Sequence, residues 1–163
     1  YSTLAAGAER LVARQLLNRE AARLIAILPL PQNDYLNEFA PSDDYRLNGQ
    51  GAELRKELKY WLSHKAIEII EMSPSSTRNS AYLKAGYYIA EHSDVLIAIW
   101  DGNEQEDSSI TVQIVDKAEK LNKPVCHIWA DNFELDPMNT KIRGKCGQIR
   151  YKNFDGHEEG KWN

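Results

Sequence analysis

The residues Val95-Leu96-Ile97-Ala98-Ile99-Trp100 form an unbroken apolar run that stops abruptly at Asp101-Gly102. A strand with one face in water alternates apolar and polar residues, whereas a run without alternation needs cover on both faces, as in a parallel sheet enclosed by helices. Three other segments share this character. Arg23-Leu24-Ile25-Ala26-Ile27-Leu28 is closed by Pro29 and Pro31, which cannot donate to a ladder; Ala66-Ile67-Glu68-Ile69-Ile70 is weakened by Glu68; Val125 to Trp129 follows Lys123-Pro124.

Between these runs the spacing turns helical. Leu11, Val12, Leu16 and Leu17 predict a helix over Ala8 to Arg19, and Leu54, Leu58, Trp61 and Leu62 another over Ala52 to His64. A third helix, capped by Asn79 or Ser80, runs to about His92, and a fourth covers Thr111 to Leu121. Gln32 to Gly51 is polar apart from Tyr35, Leu36 and Phe39 and reads as a long connection of the length of a lid. The alternation predicts an α/β fold: a Rossmann-like doubly wound parallel sheet with helices on both faces. Residues 1–130 form that domain, and 131–163 a polar tail on which Tyr151, Phe154 and Trp162 are the apolar anchors.

The chain of 163 residues, 42% hydrophobic and 27% charged, has the size and composition of one folded domain. Its net charge of −4, without a block of Lys and Arg, argues against nucleic acid as the main partner. Cys126 and Cys146 form no C-x-x-C pair, which points to a reducing, cytoplasmic setting. The apolar runs are far shorter than the roughly 20 residues that cross a bilayer, so no membrane partner is expected. His64, His92, His127 and His157 show no metal-ligand spacing, and no cofactor is expected.

In open α/β sheets, ligands bind beyond the carboxyl ends of the strands. Three segments are expected there. Ala6 and Gly7 allow close approach to the backbone, and Glu9 and Arg10 open the first helix, whose start offers unpaired N–H groups and partial positive charge. Asp101 and Gly102 end the central run, where a carboxylate can accept from ribose hydroxyls. Ser109 and Thr111 open a further helix. Arg78 and Tyr82 flank a turn from which one could reach the pocket mouth as an anion fork and the other as a stacking face. Each feature has a plain alternative: Gly7 and Asp101-Gly102 as turns, Glu9 as a helix-start acid, Ser109 and Thr111 as caps.

The segments "LAAGAERLVARQLL", "RLIAILPLP", "AGYYIAEHSDVLIAIWDG" and "SSITVQIVDKAEKLNKPVCHIW", taken in order, resemble the SLOG superfamily, the Rossmann-like ligand-binding domains related to DprA and to the LOG phosphoribohydrolases. The resemblance spans Leu4 to Trp129. It implies binding of a nucleotide-derived small molecule, either by a sensor of messengers such as cyclic ADP-ribose isomers in bacterial antiviral systems or by an enzyme that cleaves nucleotide N-glycosidic bonds.

The related enzymes carry a Pro-Gly-Gly-x-Gly-Thr turn followed by a working Glu. Here Ser109-Ile110 replaces the glycine pair, Thr111 is kept, and Gln113-Ile114 stands at the Glu positions. Gln can be neither carboxylate base nor nucleophile. The expectation is therefore a non-catalytic sensor, homo-oligomeric and coupled to an effector outside this fragment, with a nucleoside or nucleotide N-glycosidase or deoxyribosyltransferase as the alternative. Gly7, Glu9, Asp101 and Thr111, with Ala6, Arg10, Gly102 and Ser109, are the residues implied in binding. The family's first strand, central in its sheet, would precede Tyr1; Tyr1-Ser2-Thr3 resembles the end of the strand that follows it, so preceding residues or a partner would supply the central rung.

Overall fold

The computed structural model describes residues 1–19, 21–39, 50–100, 109–130 and 146–155. Helices and strands alternate as α1 (Ala8–Leu17), β1 (Leu24–Leu28), α2 (Gln32–Asn37), α3 (Gly51–His64), β2 (Ala66–Glu71), α4 (Arg78–His92), β3 (Leu96–Trp100), α5 (Ile110–Lys120), β4 (Val125–Trp129) and β5 (Ile149–Lys152). The chain packs as two compact units, Tyr1–Ala85 and Gly86–Asn163.

In the first unit β1 and β2 pair in parallel, with Ile25 opposite Glu68 and Leu28 opposite Glu71. The other edge of β1 is taken by Ser2, which bridges Ala26 in parallel. Its N–H donates to the Ile25 carbonyl at 3.1 Å, and its carbonyl accepts from the Ile27 N–H at 2.9 Å. β1 is thus an inner strand, and Leu24, Ala26, Ile27 and Leu28 are all buried, as an unalternated apolar run requires. α3 presents Leu58, Trp61 and Leu62, at helical spacing, to a core shared with Leu4, Leu28, Tyr35 and Phe39. Burying each of these side chains stabilises the unit by about 1.5–3 kcal/mol.

In the second unit β3 and β4 are parallel, in register from Leu96 opposite Val125 to Trp100 opposite Trp129, and β5 joins β4 antiparallel with Arg150 opposite His127. Leu96, Ala98 and Val125 pack with Val115 and Ala118 of α5 and Ala90 of α4. The helices approach closely at Gly86, where an added Cβ would stand 2.0 Å from Ile114 Cδ1. Glu91 and Lys117 pair at 2.7 Å on the same two helices.

The α/β character and the four expected parallel strands are present. Among the described residues the strands pair as β1–β2 and as β3–β4–β5. Two expectations need correction. Gln32 to Gly51 is not a bare connection, because its first residues form α2. The stretch from 131 onward is not all polar tail, because Ile149–Lys152 pairs with β4. No helix among the described residues is long and apolar enough to cross a membrane.

Candidate functional site

Ser2, β1 and β2 run the same way, so their carboxyl ends share one rim of the first unit. Three turns leave that rim: Thr3 to Gly7 into α1, Pro29 to Pro31 into α2, and Met72 to Thr77 into α4. This is where backbone donors and side chains converge in open parallel sheets.

The first turn is held from within. Leu4 is buried and has φ 57°, a left-handed conformation costly for a branched side chain. It is fixed by two hydroxyls that each link a backbone donor to one carboxylate. Ser2 Oγ accepts from the Leu4 N–H at 3.0 Å and donates to Glu9 at 2.8 Å. Thr3 Oγ1 accepts from the Ala5 N–H at 3.3 Å and also donates to Glu9 at 2.8 Å. Glu9 therefore braces the turn.

Arg10 turns into the core. Its residue exposure is 2%; Nε donates to the Leu4 carbonyl at 2.8 Å, and Nη1 donates to the Leu54 carbonyl at 2.8 Å and to Glu57 Oε2 at 3.0 Å. The guanidinium also lies over Phe39, 5.0 Å from the ring centre. Burial by itself would raise the Glu57 carboxyl. The Arg10 and Trp61 hydrogen bonds together with the Arg10 and Arg14 charges hold it below its ordinary value.

What these two side chains leave open is the backbone. Ala6, Gly7 and Ala8 are exposed, Gly7 adopts φ 94° and ψ −125°, and no side chain caps α1. A Cβ added at Gly7 would meet nothing within 4 Å. The small residues thus surround an uncapped helix start with open space beside it, an arrangement suited to an oxyanion or a hydroxyl-bearing group.

Beside this turn, the Tyr35 hydroxyl donates to the Thr3 carbonyl at 3.0 Å, and its ring meets Phe39 and Tyr82 edge to face. Glu38, which ends α2, accepts from Arg78 Nε at 2.8 Å, from Arg78 Nη2 at 3.0 Å and from the Tyr82 hydroxyl. Arg78 in turn lies over the Tyr82 ring at 4.3 Å. Burial is the largest cause raising both phenols; the neighbouring Glu9 adds to it at Tyr35, and Tyr35 and Glu38 add to it at Tyr82. Thr77 and Ser80 cap α4 reciprocally: the Ser80 N–H donates to Thr77 Oγ1 at 3.1 Å and the Thr77 N–H to Ser80 Oγ at 3.2 Å. The expected capping role of Asn79 or Ser80 at the Ncap passes to Thr77.

In the second unit Ser109 sits at the N-cap of α5 without a side-chain capping bond, and Thr111 lies half-buried in the first turn. Ile114 packs against Gly86. Asp101 and Gly102 lie outside the described residues. At the end of β3 the Trp100 indole stacks on His127 at 3.9 Å between ring centres. His127 is buried, and its Nε2 donates to the Trp100 carbonyl at 3.1 Å. Since a carbonyl only accepts, Nε2 carries the proton. Among the described residues no group of three His, Cys, Asp or Glu side chains could hold a metal.

Ala6 and Gly7 thus belong to one turn, with Glu9 and Arg10 of α1 as its supports. The rim residue the sequence reading missed is Glu38. No periodic signal marked it, because α2 is short and Glu38 takes its place only once Tyr35, Leu36 and Phe39 pack into the core. No family model, curated protein or solved structure matches the chain.

Proposed function

We propose that the protein is a non-catalytic sensor domain that binds a nucleotide-derived messenger, an ADP-ribose derivative or a cyclic nucleotide. The observation that carries this reading is the uncapped, exposed start of α1 behind a turn whose strained Leu4 is held by the Ser2, Thr3 and Glu9 network. Such a turn presents backbone donors without reorganisation, which suits the phosphate or ribose of a nucleotide. On this reading Ala6 and Gly7 face the ligand, and Glu9 and Arg10 shape the turn that presents them. The SLOG-like segments add a cytoplasmic homo-oligomer that relays occupancy to an attached effector in bacterial antiviral defence.

The alternative, an N-glycosidase or deoxyribosyltransferase, has less support. α5 begins Ile110-Thr111-Val112-Gln113-Ile114 with no acid in its first turn, and Ile114 is packed against Gly86.

Thermal-shift measurements with cyclic ADP-ribose isomers and cyclic oligonucleotides test the sensor. A ligand present at 100 times its Kd stabilises the fold by about 2.7 kcal/mol and raises Tm accordingly. Free base released from nucleoside monophosphates, with no such stabilisation, would establish the enzyme reading instead.

A further inference from the structure

We infer that Arg78 and Tyr82 form an oxyanion-binding fork at the rim, and that Glu38 is its built-in occupant, displaced when an anionic ligand arrives. The fork shows the arrangement by which proteins recognise carboxylates and phosphates. Nε and Nη2 of Arg78 donate side by side to the two oxygens of one carboxylate, and the Tyr82 hydroxyl donates to one of them. Its geometry does not depend on Glu38 alone, because the guanidinium rests on the Tyr82 ring and both residues stand on α4, a helix of 15 residues.

The occupant is less firmly placed. Glu38 ends α2, a helix of six residues, too short to hold itself by its own hydrogen bonds. The body of α2 is anchored by the buried Tyr35 and Leu36, by Tyr35 to the Thr3 carbonyl, by Arg55 to Asn37 and by the Gln32 N–H to Glu71, whereas the Glu38 side chain at its end is held through the fork. The Arg78 side chain is 51% exposed and the Glu38 side chain 19%, so an oxyanion can reach the cation from solvent while the carboxylate it replaces lies below. Exchange of one oxyanion for another frees the end of α2 from α4 at the mouth of the rim. The inference draws on the proposed function only in taking the physiological displacer to be an anion.

A fork filled by its own chain binds external anions weakly, because only the fraction with Glu38 detached is competent; removing Glu38 removes that penalty. The test follows the Arg78 Nε–H resonance of the whole chain during titration with sodium phosphate, sodium acetate and, at matched ionic strength, sodium chloride. In Glu38→Ala, phosphate or acetate shifts the resonance saturably at a concentration at least about tenfold lower than in the wild type. Chloride does not, and Glu38→Ala combined with Tyr82→Phe weakens the effect. Glu38→Gln, which keeps the volume and an acceptor oxygen, falls between wild type and Glu38→Ala and carries the test should the alanine variant fail to fold.

Equal affinities in wild type and both variants, or a response indistinguishable from that of chloride, overturn the fork. If nucleotide derivatives stabilise the protein while phosphate leaves Arg78 unmoved, the fork is wrong and the sensor stands. A saturable phosphate response without any nucleotide ligand separates the two the other way.

Discussion

Arg10 and Gly7 show how little a residue's type reveals about its task. Both stand in one motif, yet the charged residue is buried as a brace and the smallest is exposed with an outlying backbone. For Gly7→Ala the added methyl meets nothing within 4 Å, so the cost is purely conformational, about 1–3 kcal/mol, read as a lowered urea midpoint. Glu57 gives the pH counterpart. Its carboxyl titrates below the ordinary 4.5 in the folded chain, so its contribution is complete above that value and disappears as pH falls through the folded one. The stability gap between wild type and Glu57→Gln should be full at pH 7 and close progressively below about pH 4.5, as followed by denaturant titration at each pH. The turn was legible because Gly and Ala before a helical period announce a helix start. The inward course of Glu9 and Arg10 was not, because Ser2, Thr3, Leu54 and Glu57 are chosen by tertiary packing.

At the level of elements, β1, β3 and β4 and the bodies of α1, α3, α4 and α5 could be read from the chain, since their apolar spacing is long enough to fix a period. α2 and β5 could not. α2 spans six residues beginning Gln32-Asn33-Asp34, too few for periodicity and polar at the start, and its anchors Tyr35, Leu36 and Phe39 acquire meaning only once the core exists. β5 reads Ile149-Arg150-Tyr151-Lys152, and its polar residues become strand residues through β4 and the Lys152 pairing with Glu119. The α4–α5 contact is subject to a direct experiment. Gly86→Ala drives a methyl into Ile114 and should destabilise the chain by about 1–3 kcal/mol; Ile114→Ala in the same chain should recover part of that loss in a double-mutant cycle.

Across the whole molecule, the described strands pair as β1–β2 and as β3–β4–β5, each set with its own core. Apolar runs report that a strand is buried on both faces and say nothing of which strand lies beside it, so pairing order was the least legible property. Leu58→Ala, at a fully buried position, should cost about 2–5 kcal/mol and lower amide exchange protection mostly in β1 and β2. Val125→Ala, in the other core, should lower it mostly in β3 and β4, and exchange mass spectrometry distinguishes the two patterns. The buried phenols of Tyr35 and Tyr82 have a consequence at high pH. Both hold their protons above the ordinary 10.0, so unfolding in alkali releases protons and the native state weakens as pH climbs past that point. The Tyr35 and Tyr82 phenols should stay dark in a tyrosinate absorbance titration until the fold gives way, and then ionise abruptly, so that a simple ultraviolet spectrum reports the moment the rim comes apart.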